Sequence, residues 1–223
     1  MISLENMSKS YGKKSILHSV SCNFKNDRIS FLMGRNGSGK TTLIKCLFDL
    51  EAYDGKILFD GKKINGSIRR RCLVVWDDSP FYSGLTGIEN LKIFSNSNYK
   101  SEEIINISSE LLNVETLKTK VKHYSYGQKK KLALVLVKLS DPDYLVMDEI
   151  TNGLDYETTK LLKQILLKWK KNKTIIMTGH NLSFYNDIID DLFLLKDNSL
   201  TESDVHKHNT EVSLEDIYDS QIY

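Results

Sequence analysis

Short apolar runs alternate with longer amphipathic stretches along this chain. Ile2 to Lys9 alternates well enough for a strand, and His18 to Phe24 reads as another. Ser10 to Lys14 lies between them as a turn that carries Tyr11. Ile29 to Met33 is a buried strand, and Leu43 to Phe48 opens a helix. Lys56 to Phe59 and Lys62 to Ile64 flank Asp60-Gly61, which predicts a hairpin. Leu73 to Trp76 is a short buried strand running into the loop Asp77-Asp78-Ser79-Pro80. From Gly87 to about Leu117 the apolar spacing is helical, and Ser101 with two glutamates behind it starts a second helix there. A third helix runs from Ser125 to Leu139. Tyr144 to Met147 is a strand and Asp155 to Lys171 an amphipathic helix. Thr174 to Thr178 and Asp191 to Leu195 are two more strands. A tail over 199–223 ends in a short helix, Ser213 to Tyr218, capped by Ser213. Strands alternating with helices predict an α/β fold with a largely parallel sheet.

Ligands of such sheets gather at the C-terminal ends of the strands. That rule brings together the loops after Met33, Trp76, Met147 and Met177. The first reads Gly34-Arg35-Asn36-Gly37-Ser38-Gly39-Lys40-Thr41-Thr42, a G-x-x-x-x-G-K-[ST] stretch between a strand and a helix. Its glycines let the backbone curl with N–H groups inward, and the helix N-terminus adds positive partial charge. The candidate nucleotide-binding residues are therefore Asn36, Gly37, Ser38, Gly39, Lys40, Thr41 and Thr42. Lys40 can reach the β- and γ-phosphates, and the Thr41 hydroxyl can ligate Mg²⁺.

A bound triphosphate also needs a carboxylate for the metal and a means of activating water. Asp148 ends an apolar run and supplies the first. Glu149 follows it and can orient or deprotonate the attacking water. The plainer alternative is a carboxylate pair that caps the next helix. His180 follows a core strand and can hydrogen-bond a γ-phosphate, although a histidine in that place is more often structural. Tyr11 can stack on adenine, against the plainer reading of a tyrosine capping a hairpin. Lys129 to Lys131 reads as a solvated helix face.

A net charge of +2 argues against nucleic acid as a partner. Cys22, Cys46 and Cys72 are scattered without metal spacing and read as reduced, mostly buried thiols. The residues from Met1 to Glu5 lack the layout of a signal peptide. No apolar run approaches the roughly 18 residues of a membrane span. A role at a membrane would require docking on an embedded protein.

Taken together, these motifs resemble the nucleotide-binding domain of ABC transporters, from Tyr11 to about Asn198. Gly34 to Thr42 resembles Walker A, and Tyr144 to Asp148 resembles Walker B with Glu149 at the catalytic glutamate. Asn152-Gly153-Leu154-Asp155 is similar to the D-loop, and His180 to the switch histidine. Tyr11 falls at the adenine-stacking aromatic. Leu85-Thr86 followed by Glu89-Asn90-Leu91 resembles the stretch past the Q-loop. Tyr124-Ser125-Tyr126-Gly127-Gln128 resembles the LSGGQ signature, with tyrosines replacing Leu and the first Gly. Asp77 stands at the Q-loop glutamine position and is a further candidate Mg²⁺ ligand; Asp78 is the alternative register. Ile150 stands where proline is usual.

The resemblance implies a P-loop NTPase (RecA-like) core with an antiparallel β-subdomain and a compact α-helical subdomain over about 85–135. It implies ATP and Mg²⁺ as cofactors, Lys40, Glu149 and His180 as catalytic residues, and Asp155 as the D-loop carboxylate. It also implies a second nucleotide-binding domain, identical or paralogous, in a head-to-tail ATP sandwich. Ser125, Gly127 and Gln128 would then act on ATP held by the other copy. The other partner would be a separately encoded transmembrane permease, with this chain cytoplasmic and peripheral on the inner face of the membrane. Small bacterial exporters of peptides or antibiotics are the most similar members. The alternative is an ATP-switched regulatory or non-transport ABC ATPase.

Overall fold

The position of each loop follows from which strands are apolar on both faces. In a computed structural model, residues 1–95, 98–203 and 213–222 are described. The elements are β1 (Ile2–Tyr11), β2 (Lys14–Phe24), β3 (Arg28–Met33), α1 (Lys40–Leu47), β4 (Asp54–Phe59), α2 (Gly66–Arg69), β5 (Cys72–Val75), α3 (Gly87–Phe94) and α4 (Ser101–Ser108). They continue with α5 (Val114–Lys118), α6 (Tyr126–Ser140), β6 (Tyr144–Asp148), α7 (Tyr156–Trp169), β7 (Thr174–Thr178), α8 (Leu182–Asn186), β8 (Asp191–Lys196), β9 (Ser199–Ser203) and α9 (Leu214–Ile217). Every residue of β3 after Arg28 is buried, as is all of β7. Strands apolar on both faces belong in the middle of a parallel sheet covered by helices.

The larger sheet has six strands in the order β5-β6-β7-β3-β8-β9. Its pairings are parallel except for β8 with β9. The loops after β5, β6, β7 and β3 therefore emerge side by side along one edge. A second, antiparallel sheet has the order β2-β1-β4. Its apolar residues Met7, Leu17 and Ile57 pack in one cluster with Leu43 and Leu47 of α1 and Phe193 of β8. A second cluster joins the other face of the large sheet to α3, α4, α6, α7 and α9.

Three expectations need correction. The second hairpin arm, Lys62 to Ile64, does not form a strand. Asp60 (φ 47°) and Gly61 (φ 76°) make the turn, but Lys62 pairs with Phe59 in a single bridge. The chain then leaves for α2, which Asn65 caps. Residues 199–203, expected in a tail, are β9 on the edge of the large sheet. Strand β2 begins at Lys14, not His18, because β1 and β2 run on to a tight turn at Gly12 where Tyr11 pairs with Lys14. Bulges at Asn6 (φ 49°) and Ser19 (φ 48°) break the alternation that would have revealed its full length.

The three cysteines are free. Burial pushes the Cys22 and Cys72 thiols up to about 12 and Cys46, on α1, up to about 11.

Candidate nucleotide site and its relatives

The loop after β3 turns into α1 through Gly39, whose φ of 110° is left-handed. A Cβ there would lie 2.8 Å from Ile16 Cγ2, so a side chain meets both strain and a clash. The first turn of α1 has no side-chain cap and no acidic residue. Its N–H groups are thus left for an outside acceptor. The Ser38 Oγ is buried without a hydrogen-bond partner in the chain. The Lys40 ammonium donates to the Gly34 carbonyl at 2.7 Å and the Arg35 carbonyl at 3.1 Å. Burial pulls Lys40 below the ordinary lysine range, partly offset by the charges of Glu149 and Asp148.

A cavity of about 440 Å³ lies against this loop, lined by Ile16, Asn36, Gly37, Gly39, Lys40, Thr41, Thr42, Asp148, Glu149 and His180. An adjoining cavity shares Ile16, Asn36 and Gly37 and adds Ser38, Lys14 and Ser15 of the first hairpin. Tyr11 lines neither. It is exposed at the end of β1 in that hairpin, with the Lys9 ammonium 4.5 Å from its ring centroid.

Asp148 ends β6, opposite Thr178 of β7, whose hydroxyl donates to its carboxylate. Burial raises the Asp148 carboxyl, the Thr178 bond opposes that, and the Glu149 charge adds to it. A half-buried carboxylate destabilised in this way favours a cation beside it. Glu149 adopts left-handed backbone at φ 52°. Its carboxylate accepts from Asn152 Nδ2 at 2.6 Å and lies 3.1 Å from His180 Nε2. Loop β3–α1, Asp148, Glu149 and His180 thus meet in one cavity. An uncapped helix, an orphaned serine oxygen, a lysine and a strained carboxylate fit a polyphosphate with a divalent cation.

The remaining candidates lie elsewhere. Ser125 caps α6, accepting from Gln128 N at 3.1 Å, while Gln128 Oε1 accepts from Ser125 N at 2.8 Å. Gly127 lies so close to the Gly153 carbonyl that a Cβ would sit 2.7 Å from it. Asp155 caps α7 and pairs with Lys131 at 3.0 Å. Its hydrogen bonds from Thr158 hold its carboxyl far below the usual range, and the Lys131 bond adds to this. Asp77 does not line the cavity. Its Oδ1 accepts from the Tyr126 hydroxyl, from Lys130 Nζ at 3.0 Å and from Asn152 Nδ2 at 3.4 Å.

Two residues around the site have contacts that the sequence reading did not give them. Asn152 holds the Glu149 side chain. Lys130 is no part of a solvated face, since its side chain is 1% exposed. A signal was present: Leu132 to Val137 is apolar all round, which marks α6 as a buried helix whose flanking lysines cannot all face water.

Residues 17–152 match the family model described as ABC transporter. The chain belongs to the ABC transporter family. Among ABC proteins it is 30% identical to the lantibiotic transport ATP-binding protein SrtF of Streptococcus pyogenes, over 100% of this chain and 97% of that one. It is also 30% identical to the bacitracin transport ATP-binding protein BcrA of Enterococcus faecalis, over 100% of this chain and 76% of that one. The fold matches a solved ATP-binding subunit of an ABC transporter with a TM-score of 0.88 at 22% identity, covering 98% of both chains. The P-loop core, antiparallel β-sheet and helical segment are thus those of an ABC ATPase. Among the described residues no helix is long and apolar enough to cross a membrane.

Proposed function

We propose that this chain is the ATP-binding and hydrolysing subunit of an ABC transporter, working through a separate membrane subunit, with export of a peptide or antibiotic as its task. One observation carries the catalytic reading: the phosphate loop, Asp148, Glu149 and His180 share a single cavity. The relatives named for lantibiotic and bacitracin transport support the cargo class.

In this reading the N–H groups of Asn36 to Thr42 and the Lys40 ammonium hold the phosphates. Thr41 and Asp148 hold Mg²⁺, which when bound neutralises phosphate charge. Lys40 must exchange its two loop carbonyls for phosphate oxygens. Glu149 accepts the proton of the attacking water, and Asn152 and His180 fix the carboxylate in place. The adjoining cavity leads from the phosphate loop along β2 toward the hairpin that carries Tyr11, which supports Tyr11 as the adenine platform.

Ser125 and Gly127 stand outside this cavity, which supports their service to ATP held by a second copy. The Glu149→Gln chain tests this. With Mg-ATP it should lose hydrolysis and run as a dimer on size exclusion. A monomer that binds ATP and stays monomeric would overturn the sandwich. Co-purification with a polytopic membrane protein tests the permease.

A further inference from the structure

Lysine is almost never fully buried unless paired. Lys130 is buried at the junction of three segments that matter to hydrolysis. It sits on α6, one turn after Tyr126 in the signature. Its ammonium donates to Asp77 Oδ1 at 3.0 Å, in the loop after β5. It also donates to the Glu149 carbonyl at 3.2 Å, in the loop after β6. The Tyr126 ring lies 5.3 Å from the same ammonium, and its hydroxyl closes the circuit on Asp77.

The Glu149 peptide is where such a hold has consequences. Glu149 is not glycine, yet it adopts left-handed backbone at φ 52°. Side chains in that region are strained and persist only where the surroundings fix them. Its N–H donates to Thr178, through the carbonyl at 3.2 Å and the hydroxyl at 3.3 Å. Its carbonyl accepts from Asn152 N at 3.2 Å and from Lys130. The first tie comes from β7 and the second from the turn itself. Lys130 is the tie that comes from the signature helix.

We propose that Lys130 is a positioning residue for hydrolysis: anchored by Asp77, it fixes the Glu149 peptide and so aims the Glu149 carboxylate. This rests on the reading of Glu149 as the water-activating group. Asp77, itself half exposed, then acts as the counter-charge of a buried ammonium. Because the Asp77 carboxylate is half exposed, an apolar side chain in place of Lys130 leaves no buried charge unpaired. The pair is therefore placed for geometry, and its removal should be felt in turnover more than in stability.

The test uses the full-length chain with Lys130→Met, Asp77→Asn, the double variant and Glu149→Gln. Lys130→Met should lower kcat by about a hundredfold, the scale of a catalytic group displaced by an ångström. Its affinity for a fluorescent ATP analogue should stay within about twofold of wild type, because the phosphate loop is untouched. With Mg-ATP it should accumulate as a dimer, the outcome also expected of Glu149→Gln. Asp77→Asn should lower kcat less, and the double variant should be no slower than Lys130→Met, since both act through one contact. Wild-type kcat in Lys130→Met overturns the proposal. Loss of ATP affinity and dimer together with kcat also overturns it, since that marks a merely structural lysine. If Lys130→Met does not fold, Asp77→Asn decides: its carboxylate is half exposed, and an unchanged kcat there is equally fatal. If Glu149→Gln hydrolyses ATP normally, the reading of Glu149 fails first, whatever Lys130 does.

Discussion

At the scale of single residues, Gly179 and Tyr185 set the end of β7. Tyr185 is buried, stacks on Phe31 at 4.3 Å and donates to the Thr178 carbonyl at 3.0 Å. A Cβ on Gly179 would lie 2.2 Å from its hydroxyl. Gly179→Ala should therefore displace His180 next to it and cut hydrolysis, whereas Gly84→Ala, with nothing within 4 Å, should not. Steady-state ATPase rates compare the two. Tyr185→Phe keeps the ring and removes one buried hydrogen bond, a loss of about 1 kcal/mol in urea melts. Legibility at this scale was uneven. Gly34 to Thr42, Asp148 and Glu149 stood out because their chemistry is tied to local spacing. Lys130 did not, because its partner Asp77 is brought to it only once β5 and β6 are side by side; Asn152 lies three residues from Glu149, and its hold depends on the turn between them. Tyr126 looked like a departure from a glycine; its ring lies on Gly153, where a Cβ would sit 2.2 Å from it.

At the scale of elements, the Ser213 cap and the bounds of β7 were readable, whereas the Thr86 cap and the start of β2 were not. Thr86 caps α3, accepting from Glu89 N at 3.2 Å while Glu89 returns a bond to Thr86 N at 2.7 Å. Thr86→Ala should cost about 1 kcal/mol by thermal or urea unfolding. Asp155 caps α7, and its folded-state carboxyl lies below its unfolded value near 3.9. A depressed carboxyl adds stability above the unfolded value and loses it as pH falls through the folded one. The stability gap between wild type and Asp155→Asn should thus be constant from pH 7 to about 5 and close below pH ~4. A gap that widens in acid would contradict the sign. The hairpin expected at Asp60-Gly61 shows the limit of local chemistry. The turn forms as its residues dictate, but whether a second arm pairs depends on a neighbouring strand that no window of sequence reveals.

At the scale of the whole molecule, the sheet order places the loops after β5, β6, β7 and β3 in a row, although they are far apart in the chain. The general rule for parallel sheets anticipated that they meet; their order required the topology. In the proposed sandwich, half of each site belongs to another copy. Specific activity should therefore rise with protein concentration, and a dilute monomer should bind ATP yet turn it over slowly. Full activity at nanomolar dilution would count against that. Tyr156, 77% exposed beside the D-loop, offers a flank on which such a contact can be probed.

The raised thiols have a use that has nothing to do with redox chemistry. With values from about 11 to about 12, almost none of Cys22, Cys46 or Cys72 is thiolate at neutral pH. A disulfide reagent should then reach Cys46, the buried one of the three, only as fast as the folded chain opens, so its labelling rate becomes a clock for unfolding. Cys46 lies on α1, directly behind the phosphate loop. Nucleotide that binds the folded loop should slow its labelling by the factor 1 + [L]/Kd. Mass spectrometry of that one peptide would read ATP affinity without any turnover, even in chains whose hydrolysis is dead.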